Sequence, residues 1–169
     1  MGMGGGMYMY NYTLCLIRQN HRLLMLNRDF APTKGLWNGV GGKREDNETP
    51  LECALREAFE ETGIELKDAI FKGIVTWEVD GTFSGGMYVF LSELPQDYVY
   101  VTPRKINEGI LDWKSIDWIL SDDNFGVGEM IPLFLPKVLN SNECYEHKCT
   151  ISNKKITNYT LTPVHHVID

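Results

Sequence analysis

From Gly42 to Ile64 the chain reads Gly-Lys-Arg-Glu-Asp-Asn-Glu-Thr-Pro-Leu-Glu-Cys-Ala-Leu-Arg-Glu-Ala-Phe-Glu-Glu-Thr-Gly-Ile, and this stretch carries its own helix punctuation. Thr49 as N-cap, Pro50 at the first helical position and Glu52 three residues after Thr49 make a capping box. Gly63 supplies the left-handed residue that stops a helix. Between these signals Leu51, Ala54, Leu55, Ala58 and Phe59 recur with helical spacing, so we expect them to bury one face. Glu57, Glu60 and Glu61 stand at i, i+3 and i+4, which at about 100° per residue puts three carboxylates on one side, expected to stay accessible.

Like charges at that spacing cost a bare helix a few tenths of a kcal/mol per pair, a cost explained if a hard divalent cation holds the carboxylates together. Just upstream, Leu36-Trp37-Asn38-Gly39-Val40-Gly41-Gly42-Lys43 places three glycines before the helix, where backbone can approach an ion or a phosphate, or simply turn.

Outward from this segment the chain fits a small enzyme. Its 169 residues, 43% hydrophobic and 11% aromatic, suggest one domain with a real core. No apolar run approaches the roughly 20 residues of a membrane span, and no cationic start leads into an apolar stretch. Cys15, Cys53, Cys144 and Cys149 include no CxxC pair and imply no disulfide framework, so a reduced cytoplasm is the expected home. Cys144, His147 and Cys149 cluster, but a fourth zinc ligand at the usual spacing is missing. The net charge of −7 argues against a broad nucleic-acid surface, while leaving room for a nucleotide bridged by divalent ions.

Residues 1–7, rich in Gly and Met, have no periodicity and are expected to be disordered; 165–169 are expected to be a tail. Residues 8–18 and 22–27 flank Gln19-Asn20-His21 as a hairpin. Strands are predicted over 71–79, 86–91 and near 113–120, with a turn over 80–85. A second helix over 128–139 should start late or kink at Pro132, and 148–151 with 155–161 should form a terminal hairpin. No linker or repeat divides 8–164, which we read as one α+β domain with a mixed sheet between helices.

The pattern Gly42-x5-Glu48-x7-Arg56-Glu57-Ala58-x-Glu60-Glu61-x-Gly63-Ile64 fills every position of the Nudix box, so the chain resembles that family of hydrolases, which cleave nucleoside diphosphates linked to another group. The resemblance implies a Nudix-type α/β/α sandwich. Within the family it is similar to the MutT-like hydrolases of oxidised purine nucleoside triphosphates, through Trp37 to Lys43 and through Lys155-Ile156-Thr157-Asn158-Tyr159-Thr160-Leu161. One departure is plain: the paired acids that read the base in the mammalian enzyme have no match in register, because Asp122-Asp123 lie several residues too early relative to Ile131-Pro132-Leu133.

By this likeness Gly41, Glu57, Glu60, Glu61 and Glu108 would hold magnesium, or manganese in its place. The candidate catalytic set is Glu48, Arg56, Glu57 and Glu60, with Arg56 orienting the carboxylates and the base among them left open. Trp37, Asn38 and Lys43 would bind substrate, Trp37 and Asn38 forming with the Trp77 to Val79 strand the wall of a purine pocket. The implied partner is a small nucleotide, with no membrane and no extended nucleic-acid surface, and the protein a monomer or homodimer. Three functions compete: an oxidised-purine triphosphatase, a pyrophosphatase of another diphosphate such as ADP-ribose, a dinucleoside polyphosphate or an RNA end, and a non-catalytic nucleotide sensor. The sensor expects an eroded glutamate, and none is eroded.

Overall fold

The computed structural model describes residues 8–165. The capping box forms: the Glu52 N–H donates to the Thr49 hydroxyl at 3.1 Å, and the Thr49 N–H to the Glu52 carboxylate at 3.0 Å. Pro50 opens helix α1 (Pro50–Thr62) and Gly63, at φ 77°, closes it. In chain order the other elements are strands β1 (Tyr12–Gln19), β2 (Arg22–Arg28), β3 (Trp37–Asn38) and β4 (Val40–Lys43) before α1, and β5 (Ile70–Val79), β6 (Thr82–Glu93), β7 (Arg104–Ile106) and β8 (Gly109–Ser115) after it. Helices α2 (Ile116–Ile119) and α3 (Ile131–Asn140) follow, then β9 (Cys144–Ser152) and β10 (Lys155–Val164).

The strands form one mixed sheet in the order β10-β9-β5-β6-β1-β2-β8-β7, with β4 added to β1 and β3 to β2. The β1/β6 and β5/β9 pairs are parallel; the rest are antiparallel. Alternation along β1 shows how both faces are covered. Cys15 and Ile17 pack with Ala54 and Ala58 of α1, while Leu14 and Leu16 pack with Phe134, Leu135 and Val138 of α3. The architecture is therefore the expected α/β/α sandwich, held by side chains whose burial contributes about 1.5–3 kcal/mol each.

One irregularity of the sheet prepares the site. β1 pairs with β2 only at Arg18 and Gln19, next to the turn, and then parts from it. Into the gap comes β4, with Leu14 opposite Gly41 and Thr13 opposite Gly42. A Cβ on Gly41 would lie 2.1 Å from the Thr13 carbonyl oxygen, so a glycine is needed for this approach. The glycine-rich stretch is thus strand rather than turn, and it runs beside α1.

Several expectations are corrected. β1 begins at Tyr12 rather than at residue 8. The turn expected over 80–85 is only Asp80-Gly81, both at positive φ, so β6 starts at Thr82. The strand expected near 113–120 ends at Ser115, whose side chain accepts from the Trp118 N–H and starts α2. The second helix starts at Ile131, as Pro132 required, and also contains Pro136. β9 begins at Cys144, so the two-residue period puts His147 and Cys149 on one face and Cys144 on the other. His147 Nδ1 is 2.6 Å from the Tyr159 hydroxyl, and no zinc cage forms from this trio.

The largest correction concerns α1. Phe59 is 54% exposed, whereas Glu61 is 8% exposed and lies in the buried stripe. At 100° per residue Glu61 falls about 20° from Ala54, two turns earlier, at the centre of the packed face. The three glutamates therefore spread from core to solvent: Glu61 buried, Glu57 half-buried, Glu60 exposed. Residues 1–7 and 166–169 lie outside the described residues, so the expectations for the amino-terminal segment and for most of the tail fall there. Among the described residues no helix is long and apolar enough to cross a membrane.

Candidate active site

Arg56 sits one residue before the acidic triplet and becomes its hub. Its Nε and Nη2 donate to both oxygens of Glu48, at 2.6 and 2.9 Å, a bidentate fork that fixes the guanidinium plane. Nη1 donates to Glu57 at 2.9 Å and Glu60 at 3.1 Å, and Nη2 donates to the Lys43 carbonyl at 3.1 Å. One cation thus gathers carboxylates from the loop before α1 and from two turns of α1. Glu48 also accepts from the Glu45 N–H at 3.0 Å, and the Arg56 hydrogen bonds hold its carboxyl below the usual range.

Glu57 is held from the other side by Gly42, since a Cβ there would lie 2.4 Å from the Glu57 carboxyl carbon. Burial raises the Glu57 carboxyl, against the opposing pull of Arg56. Glu61 has a different environment. The Gly41 N–H donates to it at 3.3 Å, and burial pushes its carboxyl up to about 8, with the charges of Glu57 and Glu108 adding to the effect and Arg28 opposing it. Glu108 stands in the β7–β8 turn. The turn is drawn in by the Asp29 N–H bonding the Glu108 carbonyl at 2.8 Å, and by Gly109, which packs so closely on β2 that a Cβ would lie 1.8 Å from the Asn27 carbonyl oxygen.

Gly41 of β4, Glu57 and Glu61 of α1 and Glu108 of the β7–β8 turn therefore come from three parts of the fold to one acidic neighbourhood. Glu60, by contrast, is paired with Arg56 on the outer side of α1. Among the described residues no three His, Cys, Asp or Glu side chains already stand as a metal cage, Glu57 and Glu60 being turned toward Arg56. The donor set nevertheless suits a hard divalent ion: hard oxygen ligands, a backbone segment at close range, and a buried carboxyl surrounded by like charges.

On the face of the sheet covered by α3 lies a cavity of about 590 Å³. Its wall is mostly apolar, from Leu14, Trp77, Met87, Met130, Ile131 and Phe134 among others, and Asn38 and Glu129 add polar groups. Asn38 is set there by β3: the Trp37 N–H donates to the Gly126 carbonyl at 2.8 Å and the Gly128 N–H to the Trp37 carbonyl at 3.1 Å. Its Nδ2 is buried without a hydrogen-bond partner among the described residues. Trp77 lines the cavity as expected of the β5 strand.

Trp37 and Lys43 do not line it. Trp37 instead packs against the core cluster of the α3 face outside the cavity, with Lys114 Nζ 4.4 Å from its ring centroid. Lys43 is exposed and enters the Arg56 network through its carbonyl. Asp122 and Asp123 are exposed and also lie off the wall. Sequence reading missed Met87, Glu129, Met130 and Phe134, because no local pattern links residues that meet only across the fold.

Comparison with known proteins places this geometry. A family model described as the NUDIX domain matches residues 7–134. The chain is 27% identical over 111 residues to an uncharacterized Nudix hydrolase, YvcI, of Bacillus subtilis, covering 65% of this chain and 68% of that one. It is 31% identical over 109 residues to the mouse oxidized purine nucleoside triphosphate hydrolase, covering 64% and 67%. Its fold is similar to that of the MutT protein from Bacillus halodurans, with a TM-score of 0.70, 25% identity and coverage of 89% and 95%. A box that caps its own helix, a hub arginine and this sandwich agree with the family match over most of the length, and the chain belongs to the Nudix family of hydrolases.

Proposed function

We propose that the protein is a magnesium-dependent pyrophosphohydrolase of purine nucleoside triphosphates, with oxidised purines such as 8-oxo-dGTP as preferred substrates, releasing a nucleoside monophosphate and pyrophosphate. The observation that carries this reading is the pairing of an acidic centre around Glu61 with a nearly apolar cavity in which the Asn38 amide has a free donor. The 31% identity to the mouse oxidized purine hydrolase supports the same substrate class.

Glu57, Glu61, Glu108 and the Gly41 carbonyl would hold the divalent ion, with Glu60 joining the cluster. The bound ion would neutralise charge building on the phosphates and acidify a water. Glu61, once deprotonated, contributes a charged oxygen that has few competing partners. Arg56 is a positioning residue: its fork on Glu48 leaves Nη1 to steer Glu57 and Glu60. A carboxylate of the cluster accepts the proton of the attacking water, whose oxygen joins phosphorus as the bond between the first and second phosphates breaks. Glu48, Glu57 and Glu60 are the candidates for that base, and the Arg56 hydrogen bonds favour the charged form of Glu48. Asn38 and Trp77 would orient the base.

The test is a substrate panel with magnesium, comparing oxidised and normal purine triphosphates with ADP-ribose and a dinucleoside polyphosphate. The highest kcat/KM is expected for an oxidised purine triphosphate. A preference for ADP-ribose or the dinucleoside polyphosphate would overturn the substrate assignment and leave the hydrolase chemistry standing.

A further inference from the structure

The last carbonyls of a helix have no partner within it, and in α1 they belong to the turn that carries Glu61. The Gly63 N–H closes on the Phe59 carbonyl at 2.8 Å. The carbonyl of Thr62, a buried residue next to Glu61, accepts from outside the helix: the Tyr100 hydroxyl donates to it at 2.6 Å. Tyr100 belongs neither to the box nor to a strand. It sits in the segment 94–103 that joins β6 to β7, and buried Gln19 pins the start of that segment, its Nε2 donating to the Pro95 and Tyr98 carbonyls at 2.8 and 2.7 Å. The other contacts of Tyr100 go to the β7–β8 hairpin, whose turn holds Glu108. The Trp113 indole N–H of β8 donates to the Tyr100 carbonyl at 3.1 Å, and the guanidinium carbon of Arg104 of β7 lies 4.0 Å from the Tyr100 ring centroid. One buried residue therefore grips both elements whose acids meet: its hydroxyl holds the end of α1, and its carbonyl and ring hold the two strands of the hairpin.

We propose that Tyr100 is a positioning residue for the divalent-ion site, a strut that fixes how Glu61 stands toward Glu108. This rests on reading those two acids as ligands of the ion. Like charges repel, so two carboxylates brought together from separate elements need backbone anchors that resist their spreading. On the Glu108 side the anchors are the Asp29 N–H and the close packing of Gly109 on β2. On the Glu61 side the Gly41 N–H holds the carboxyl, and Tyr100 holds the backbone one residue away. Removing the hydroxyl keeps every acid and the aromatic ring, and frees only the last turn of α1. Groups that hydrogen-bond a ligand directly change metal affinity by about 10- to 100-fold when lost; acting through the neighbouring peptide, the Tyr100 hydroxyl is expected to be worth about 3- to 10-fold.

The experiment measures binding of manganese alone to the whole protein, without nucleotide, by the paramagnetic resonance of the free ion; the binding counted is the component lost in Glu61→Gln. Tyr100→Phe is expected to raise its Kd by about 3- to 10-fold, and Trp113→Phe, which removes the link to β8, should shift it in the same direction. Tyr159→Phe is the control. It makes the same chemical change at the opposite edge of the sheet, where the Tyr159 hydroxyl lies 2.6 Å from His147 Nδ1, and should leave the Kd within about twofold of the parent's. A Kd unmoved in Tyr100→Phe, or raised as much in Tyr159→Phe, overturns the proposal, since metal affinity would then be indifferent to the strut or would follow general stability. Should Tyr100→Phe fail to fold, Trp113→Phe decides by the same limits. A parent protein that binds no manganese overturns the ion-site reading and the strut together, whereas binding that neither variant moves overturns the strut alone.

Discussion

The two faces of the central sheet solve different problems. The α1 face carries, beside its apolar packing, a polar cluster over-supplied with partners: Arg56 alone bonds Glu48, Glu57, Glu60 and the Lys43 carbonyl. The α3 face holds an apolar cavity with an under-supplied amide, Asn38. A face that must place charge against phosphate needs preorganised ions and a rigid hub, because the energy lies in electrostatics that fall off with misplacement. One that must recognise a base needs shape, dryness and one or two unsatisfied groups. β4 runs beside the polar cluster, its Gly41 closing on the backbone of β1 and its Gly42 on the Glu57 carboxyl.

The comparison breaks most sharply at Glu61. With saturating magnesium, Glu61→Gln is expected to lower kcat by about 100-fold or more, a barrier increase of about 2.7 kcal/mol, while the ratio of kcat/KM values between purines stays as in the parent. A loss below about tenfold would show that Glu61 is not a ligand of the ion.

Next in size is Arg56→Lys. Charge is kept, yet an ammonium cannot hold Glu48 bidentately and reach Glu57 at once, so kcat should fall by about 10- to 30-fold and the magnesium concentration for half-activation should rise. Equal kcat and metal affinity in the variant would mean that charge alone suffices on the α1 face.

The α3 face answers to Asn38→Ala. KM for the oxidised purine triphosphate should rise by about 5- to 10-fold, corresponding to about 1–1.4 kcal/mol, and its advantage over the normal nucleotide should narrow, with magnesium dependence unaltered. Discrimination as good as the parent's would remove Asn38 from base reading.

The smallest effect is a pH dependence of stability without added metal. The Glu61 carboxyl is raised to about 8 in the folded protein, above the usual value near 4.3 of an unfolded chain. Between those values the folded state binds a proton that the unfolded state has released, so stability falls as pH rises through this window and levels off above it. Tm of metal-free protein, scanned from pH 5 to 9, should drop more steeply for the parent than for Glu61→Gln, at about 2–4 °C per kcal/mol for a chain of this size. Parallel curves would show that Glu61 does not carry that proton.

The face built on local chemistry was legible early. Thr49, Pro50, Glu52 and Gly63 lie within one helix length of the residues they cap, and Arg56 and the glutamates of the triplet are separated by at most five positions on that helix. Such spacings translate directly into geometry because the helix repeat is fixed. Even there one property escaped: Glu61 is buried, since the packed stripe of α1 is decided by what α1 lies against, β1 and β4, and not by the helix alone. That Trp37 packs beside the cavity and not on its wall was likewise hidden, as a strand of two residues shows no alternation from which to tell its sides.

What the sequence determined by itself was the set of groups able to do chemistry and the helix that carries most of them, because caps, periodicity and charge spacing act over a few residues. It also determined the fold class, through the match of its box to a known family. Only the tertiary structure decided which acids meet and what they face. Glu108 reaches the neighbourhood of Glu61 because Gly109 lets its turn close on β2. The cavity joins Leu14, Asn38, Trp77, Met87, Glu129 and Phe134, which lie far apart along the chain. Contacts at such separations are set by strand order and by the two packed layers, and these follow from burial of the whole core rather than from any single stretch.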